Sequence, residues 1–188
     1  MESDAADQER SPAPDEGNRR LSSILWVVVP LALVGLVAFG FFSSGKSRPQ
    51  SGETAPNLSL SLLDGSQVTL RDMRGQVVVL NFWASWCDPC LREAPDLQQV
   101  WEQYQDRGVV FLGVTFHDAK GASQAFVERF GLTYPNGVDE RGRISEAYGV
   151  VAVPETFVID REGKIAFIHV GEVEAEALIE DLETLGVR

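Results

Sequence analysis

The chain's two cysteines, Cys87 and Cys90, are separated by Asp88 and Pro89. They sit in the string Trp83-Ala84-Ser85-Trp86-Cys87-Asp88-Pro89-Cys90. Ahead of them runs Gln76 to Phe82, a continuous β-branched stretch of the kind that forms a buried central strand. Behind them, Asp88 to Arg107 carries helical spacing, with Leu91, Ala94, Leu97 and Trp101 on one side and Gly108 as a stop. A cysteine at a helix N-terminus faces unpaired backbone N–H groups and the positive end of the helix dipole. Both favour the thiolate, which is the reactive form. Cys90, one turn on, is close enough to attack a mixed disulfide formed on Cys87. Pro89 is tolerated because first-turn N–H groups have no helical partner. The chemistry this arrangement can do is thiol–disulfide exchange.

Other uses of the pair fit less well. A zinc site needs four ligands, and beyond the cysteines the chain offers only His117 and His169, both distant and in apolar strand contexts. A purely structural disulfide closing two residues stabilises little. A peroxidase would not require a second cysteine at this spacing. A further signal lies at Val153-Pro154-Glu155-Thr156, a proline just before a strand.

The elements that must position these residues alternate along residues 57–188. Leu58, Leu60 and Leu62, the Asp64-Gly65 turn and Val68 to Leu70 predict a hairpin. Val109 to Phe116 predicts a second buried strand, and Ser123 to Phe130 and Ile144 to Tyr148 predict helices. Thr156 to Ile159 and Ile165 to Val170 predict two strands around a turn, and Val173 to Leu185 a closing helix. The order implies an α/β fold with a mixed sheet covered by helices.

Residues 1–20 read as a disordered polar tail. From Leu21 to Phe42 no residue is charged. A helix of that length spans roughly 33 Å, enough for a bilayer's hydrocarbon core of about 30 Å. Pro30, Gly35 and Gly40 within it are better tolerated in membrane helices than in soluble ones. A cleaved signal peptide is the competing reading, since Ala38-Phe39-Gly40 resembles a cleavage site, but the run exceeds the usual ~7–15 residue signal core. Arg10, Arg19 and Arg20 before the run, against Lys46 and Arg48 after it, favour a cytoplasmic N-terminus. Residues 43–56, rich in Ser, Gly and Pro, read as a flexible tether. The net charge of −12 argues against a nucleic-acid partner.

The NFWASWCDPC block, Pro95, and the string GVVAVPETFVIDREGKI from Gly149 to Ile165 resemble thioredoxin-like proteins of the membrane-tethered TlpA, ResA and CcmG type. The resemblance implies a thioredoxin-like fold with an N-terminal β-hairpin and a central helical insertion over about residues 121–148. It implies Cys87 as the exposed nucleophile, Cys90 as the buried resolving thiol, and Pro154 as a cis-proline facing them. Pro95 would kink the active-site helix. Trp86, Val153 and Glu155 would contact substrate, with the Val153 backbone pairing to a peptide strand. Glu93 matches an acidic position of the ResA-like branch, whereas Pro154-Glu155-Thr156-Phe157 looks more like the CcmG branch. Thioredoxins carry a buried acid six residues before the first cysteine; here that position is Asn81, so Glu93 or Glu155 would have to serve the resolving thiol. No cofactor or metal is implied.

Asp88, between the cysteines, disfavours the thiolate and so favours the disulfide. That points to a reductant, nearer −270 mV than the −120 mV of a strong oxidant. The resemblance then implies an inner-membrane protein, its catalytic domain outside the cytoplasm. Its electrons would come from a membrane dithiol donor of CcdA/DsbD type, and oxidised protein cysteines, apocytochrome c first among them, would be its substrates. The alternatives are a dithiol oxidase for exported proteins, a copper-delivery module using His169, and a thiol peroxidase. The last is disfavoured because Ala84 stands where a threonine is expected.

Overall fold

The computed structural model describes residues 48–188. The tail over 1–20, the apolar run over 21–42 and the first part of the tether lie outside the described residues. Among the described residues no helix is long and apolar enough to cross a membrane.

Seven strands form one sheet in the order β2-β1-β5-β4-β3-β6-β7. They are β1 (Ser59–Leu62), β2 (Gln67–Thr69), β3 (Val77–Trp83), β4 (Val109–Thr115), β5 (Asn136–Val138), β6 (Glu155–Ile159) and β7 (Ile165–Val170). β3 is central, parallel to β4 and antiparallel to β6. All seven of its residues are buried, as an unalternating Val/Leu/Phe run should be when both faces are covered. Alternate β3 side chains enter two cores. Val77, Val79 and Trp83 join the core formed with α1 (Asp88–Tyr104), α2 (Lys120–Phe130) and α4 (Ala175–Thr184). Val78, Leu80 and Phe82 join the opposite core, covered by α3 (Arg143–Tyr148) and the hairpin side chains Leu60 and Leu62. This parity decides which polar residues can meet near the cysteines.

The predicted helical insertion contains a strand. β5 pairs parallel with β4 and antiparallel with β1, joining the hairpin to the rest of the sheet. Its three residues are too few to show a period, and Asn136-Gly137 reads as a turn in isolation. Asn136 is instead a buried strut, accepting from Trp83 Nε1 at 2.9 Å while its own amide donates to the Tyr134 carbonyl at 2.8 Å. Gly113 on β4 makes room for it: a Cβ there would lie 1.9 Å from Asn136 Oδ1 and 2.7 Å from Trp83 Nε1. Gly113→Ala should therefore break this buried pair and cost roughly 2–4 kcal/mol, read as a lowered urea midpoint.

Composition reads residues 43–56 as a flexible tether, and the structure differs over the described part of that segment. Residues 48–56 are held to the domain rather than free of it. Gly52 N donates to the Ile165 carbonyl at 2.7 Å, Ile165 N to the Glu53 carbonyl at 2.9 Å, and Ala55 N to the Gly163 carbonyl at 3.0 Å. Thr54 bridges to Lys164. Arg48 pairs with Glu155 at the other end of β6. The segment thus runs the length of the β6–β7 hairpin, and polar composition hid it because its bonds are mostly main-chain ones.

Candidate active site

β3 ends at Trp83, whose carbonyl accepts from Phe116 N at 2.8 Å, and the chain turns through Ala84-Ser85-Trp86 into α1. Asp118 fixes that turn, accepting from Ser85 N at 2.8 Å and Ser85 Oγ at 2.9 Å, and from Ser123 Oγ of α2 at 3.1 Å. Cys87 is the N-cap of α1, and its sulfur accepts from Cys90 N at 3.2 Å. A sulfur that accepts a backbone N–H at a helix start is stabilised as thiolate. Cys87 and Cys90 are joined as a disulfide, with Cα atoms 5.2 Å apart. Cys87 is 4% exposed and Cys90 1%. Cys87, expected as the exposed thiol, is barely accessible, since a distant loop leans on it.

That loop is the one before β6. The Val153–Pro154 peptide bond is cis. The Val153 carbonyl oxygen lies 3.6 Å from Cys87 Sγ. Pro154 O accepts from Gly171 N at 2.9 Å, joining the loop to the turn after β7. Trp86, beside the nucleophile, is 58% exposed and its Nε1 donates to the His117 carbonyl at 3.3 Å. Val151 and Val170 are the other large apolar side chains exposed among the described residues. They belong to the loop before Pro154 and to the end of β7 beside Glu155, so all three mark the cysteine end of the sheet.

The two candidate acids fall on opposite faces. Glu93, three residues beyond Cys90 and on the same helix face, is 1% exposed. Its carboxylate accepts from Asn81 Nδ2 at 2.9 Å and from Val173 N at 3.1 Å. Burial pushes the Glu93 carboxyl up to about 7, against the pull of those two donors, with Glu172 and Asp96 adding to the rise. Glu155 pairs in register with Phe82, which belongs to the core on the other side of the sheet. There Arg48 holds it, and the guanidinium also lies 5.8 Å from the Phe157 ring centroid. Burial raises the Glu155 pKa while Arg48 opposes the rise. The suggestion that either acid could serve the resolving thiol therefore narrows to Glu93. Pro95 lies inside α1, two residues further on.

His169, the ligand a copper-delivery reading needs, is engaged at 2.6 Å by Asp181 of α4. Ala84 is wholly buried and offers no hydroxyl beside the nucleophile. Sequence reasoning missed Asp118, Thr156 and Arg48. Asp118 just ahead of a helix is a readable cap-like signal, whereas the other two carry none.

A disulfide capping a helix on the end of a central strand, with a cis-proline loop against it, defines a thioredoxin-like thiol–disulfide oxidoreductase. The chain belongs to the AhpC/TSA family, whose model matches residues 51–168. It is 39% identical to the thiol-disulfide oxidoreductase ResA of Geobacillus thermodenitrificans over 155 residues, 82% of this chain and 89% of the relative. A ResA of Bacillus anthracis is 32% identical over 161 residues, 86% of this chain and 93% of its own. Among solved structures, a putative thiol:disulfide interchange protein DsbE from Chlorobium tepidum superposes with a TM-score of 0.68 at 32% identity, covering 73% of this chain and 98% of that one.

Proposed function

We propose that the protein is a reductase of protein disulfides outside the cytoplasm, anchored through residues 21–42 and supporting cytochrome c maturation. The observation that carries the reading is Glu93, a buried carboxyl on the Cys90 face of α1 that accepts from Asn81 Nδ2 and Val173 N, and whose pKa burial pushes up to about 7. At neutral pH such a group can take the resolving thiol's proton, and its charge, one helical turn beyond Cys90, favours the disulfide over the thiolate. Asp88, exposed in the first turn of α1, adds a second negative charge beside the pair.

In the forward direction the Cys87 thiolate attacks one sulfur of a substrate disulfide, and the other leaves as a thiolate that takes up a proton. Cys90 then passes its proton to Glu93, and its electron pair attacks Cys87 Sγ. The second substrate thiolate is released. The substrate disulfide is reduced to a dithiol, and Cys87–Cys90 is oxidised by the same two electrons. A membrane dithiol of CcdA/DsbD type then reduces the pair again. Trp86, Val151 and Val170 offer an apolar rim for an unfolded substrate segment, with apocytochrome c the favoured candidate.

The decisive measurement is the reduction potential of the full chain. A value between about −200 and −300 mV supports the reductase, whereas one above about −150 mV selects the dithiol oxidase.

A further inference from the structure

Asn81 lies on β3 with its side chain on the α1 side of the sheet, 2% exposed. Its Nδ2 donates twice, to Glu93 Oε1 at 2.9 Å and to Thr156 Oγ1 of β6 at 3.0 Å. Its Oδ1 is buried with no partner among the described residues. We propose that Asn81 is a positioning residue for thiol–disulfide exchange: a donor-only strut that holds the Glu93 carboxylate on the Cys90 side of α1 and ties its ionisation to the strand that begins just after Pro154. This deepens the reading of Glu93 as the proton acceptor above.

The unpaired oxygen is what makes the strut one-way. An amide can be turned over without changing its shape. Turned over here, Oδ1 would face a carboxylate and both N–H bonds would point where Oδ1 now finds no partner. One idle acceptor is the smaller loss, since an amide oxygen facing a carboxylate adds repulsion to two unpaired donors. While Glu93 is ionised, the amide is therefore held with its donors toward it.

The carboxyl's other contacts point the same way. Val173 N, from the loop between β7 and α4, is a second donor, so both carboxyl oxygens face N–H groups. The charged groups bearing on Glu93 are Glu172, which Arg92 pairs, and Asp96, both acidic and both favouring the neutral form. Tyr134 also feels the Glu93 charge. Burial and these acids push the proton on, while Asn81 and Val173 pull it off. Asn81 is the side-chain half of the opposing pair, and so the half that substitution can remove.

The test reads protonation directly and needs no substrate, so it stands or falls separately from the reductase assignment. In the full chain in detergent, NMR should show the Asn81 side-chain amide shifting with pH at the Glu93 midpoint, and Glu93→Gln should abolish that inflection. In Asn81→Ala the Glu93 midpoint should rise by about one pH unit or more, the size of one lost charge-assisted hydrogen bond. The pH profile of the Cys90 resolving step should move with it. Asn81→Asp should make the site titrate in two steps, as paired carboxyls do. A wild-type Asn81 amide that stays flat through the Glu93 titration overturns the proposal whether or not a variant folds. So does an Asn81→Ala midpoint unchanged within about 0.3 pH unit.

Discussion

Cys90→Ser should stop turnover with disulfide substrates by roughly three orders of magnitude or more, while the protein accumulates as a mixed disulfide through Cys87. The reason is geometric. Cys87 keeps its place as the N-cap of α1, with the backbone N–H of residue 90 still directed at its sulfur. The first attack therefore survives, but no thiol remains at 1% exposure behind it to release the substrate. Cys87→Ser should lose activity as fully and trap nothing. Non-reducing gels with mass spectrometry of the trapped partners distinguish the two variants. Trapping in vivo also names the substrate. If apocytochrome c never appears among the species captured by Cys90→Ser, the maturation role fails while the exchange chemistry stands.

Glu93→Gln should make the protein more stable at neutral pH and slower at exchange. The carboxyl's ordinary value is 4.5, and burial raises it to about 7 in the fold. Between those values the folded chain binds more protons than the unfolded one. The part of the stability that depends on Glu93 should therefore be full below pH 4.5, fall as pH rises toward 7, and level off above that. The fall attributable to Glu93 is about 3 kcal/mol. Glutamine does not titrate, so the difference in unfolding free energy between variant and wild type should widen in its favour by about that amount from about pH 4.5 to about pH 7.5. Urea melts at a few pH values measure it. A gap that does not change with pH would mean Glu93 titrates normally. Meanwhile the Cys90 resolving step should slow by about 100-fold at about pH 7, the usual contribution of a general base, and lose its inflection near that pH. A gain in stability with a loss in rate is what separates a functional acid from a structural one.

Much of the catalytic end is legible in the sequence alone. The strand, the N-capping cysteine and the proline ahead of β6 each carry a local signature: a β-branched run, a two-residue cysteine spacing, a proline at a strand start. What the sequence hides depends on register and face. Nothing local says that Glu155 sits opposite Phe82 and so belongs to the core that α1 does not cover. Asn81, read along the chain, looks like a missing acid. Only its place across from Thr156 and under Glu93 makes it the acid's partner. β5 escapes notice because three residues carry no period, and its role in joining hairpin to sheet is a matter of pairing alone.

The segment from Arg48 to Pro56 bears on how the molecule can be cut for work in solution. A fragment starting at Asn57, where composition draws the line, would strip the guanidinium from the 2%-exposed Glu155 and leave an acid beside the proline loop with no counter-charge. It would also unpair main-chain groups of Gly163 and Ile165. A truncated version that keeps the redox end intact has to begin ahead of Arg48.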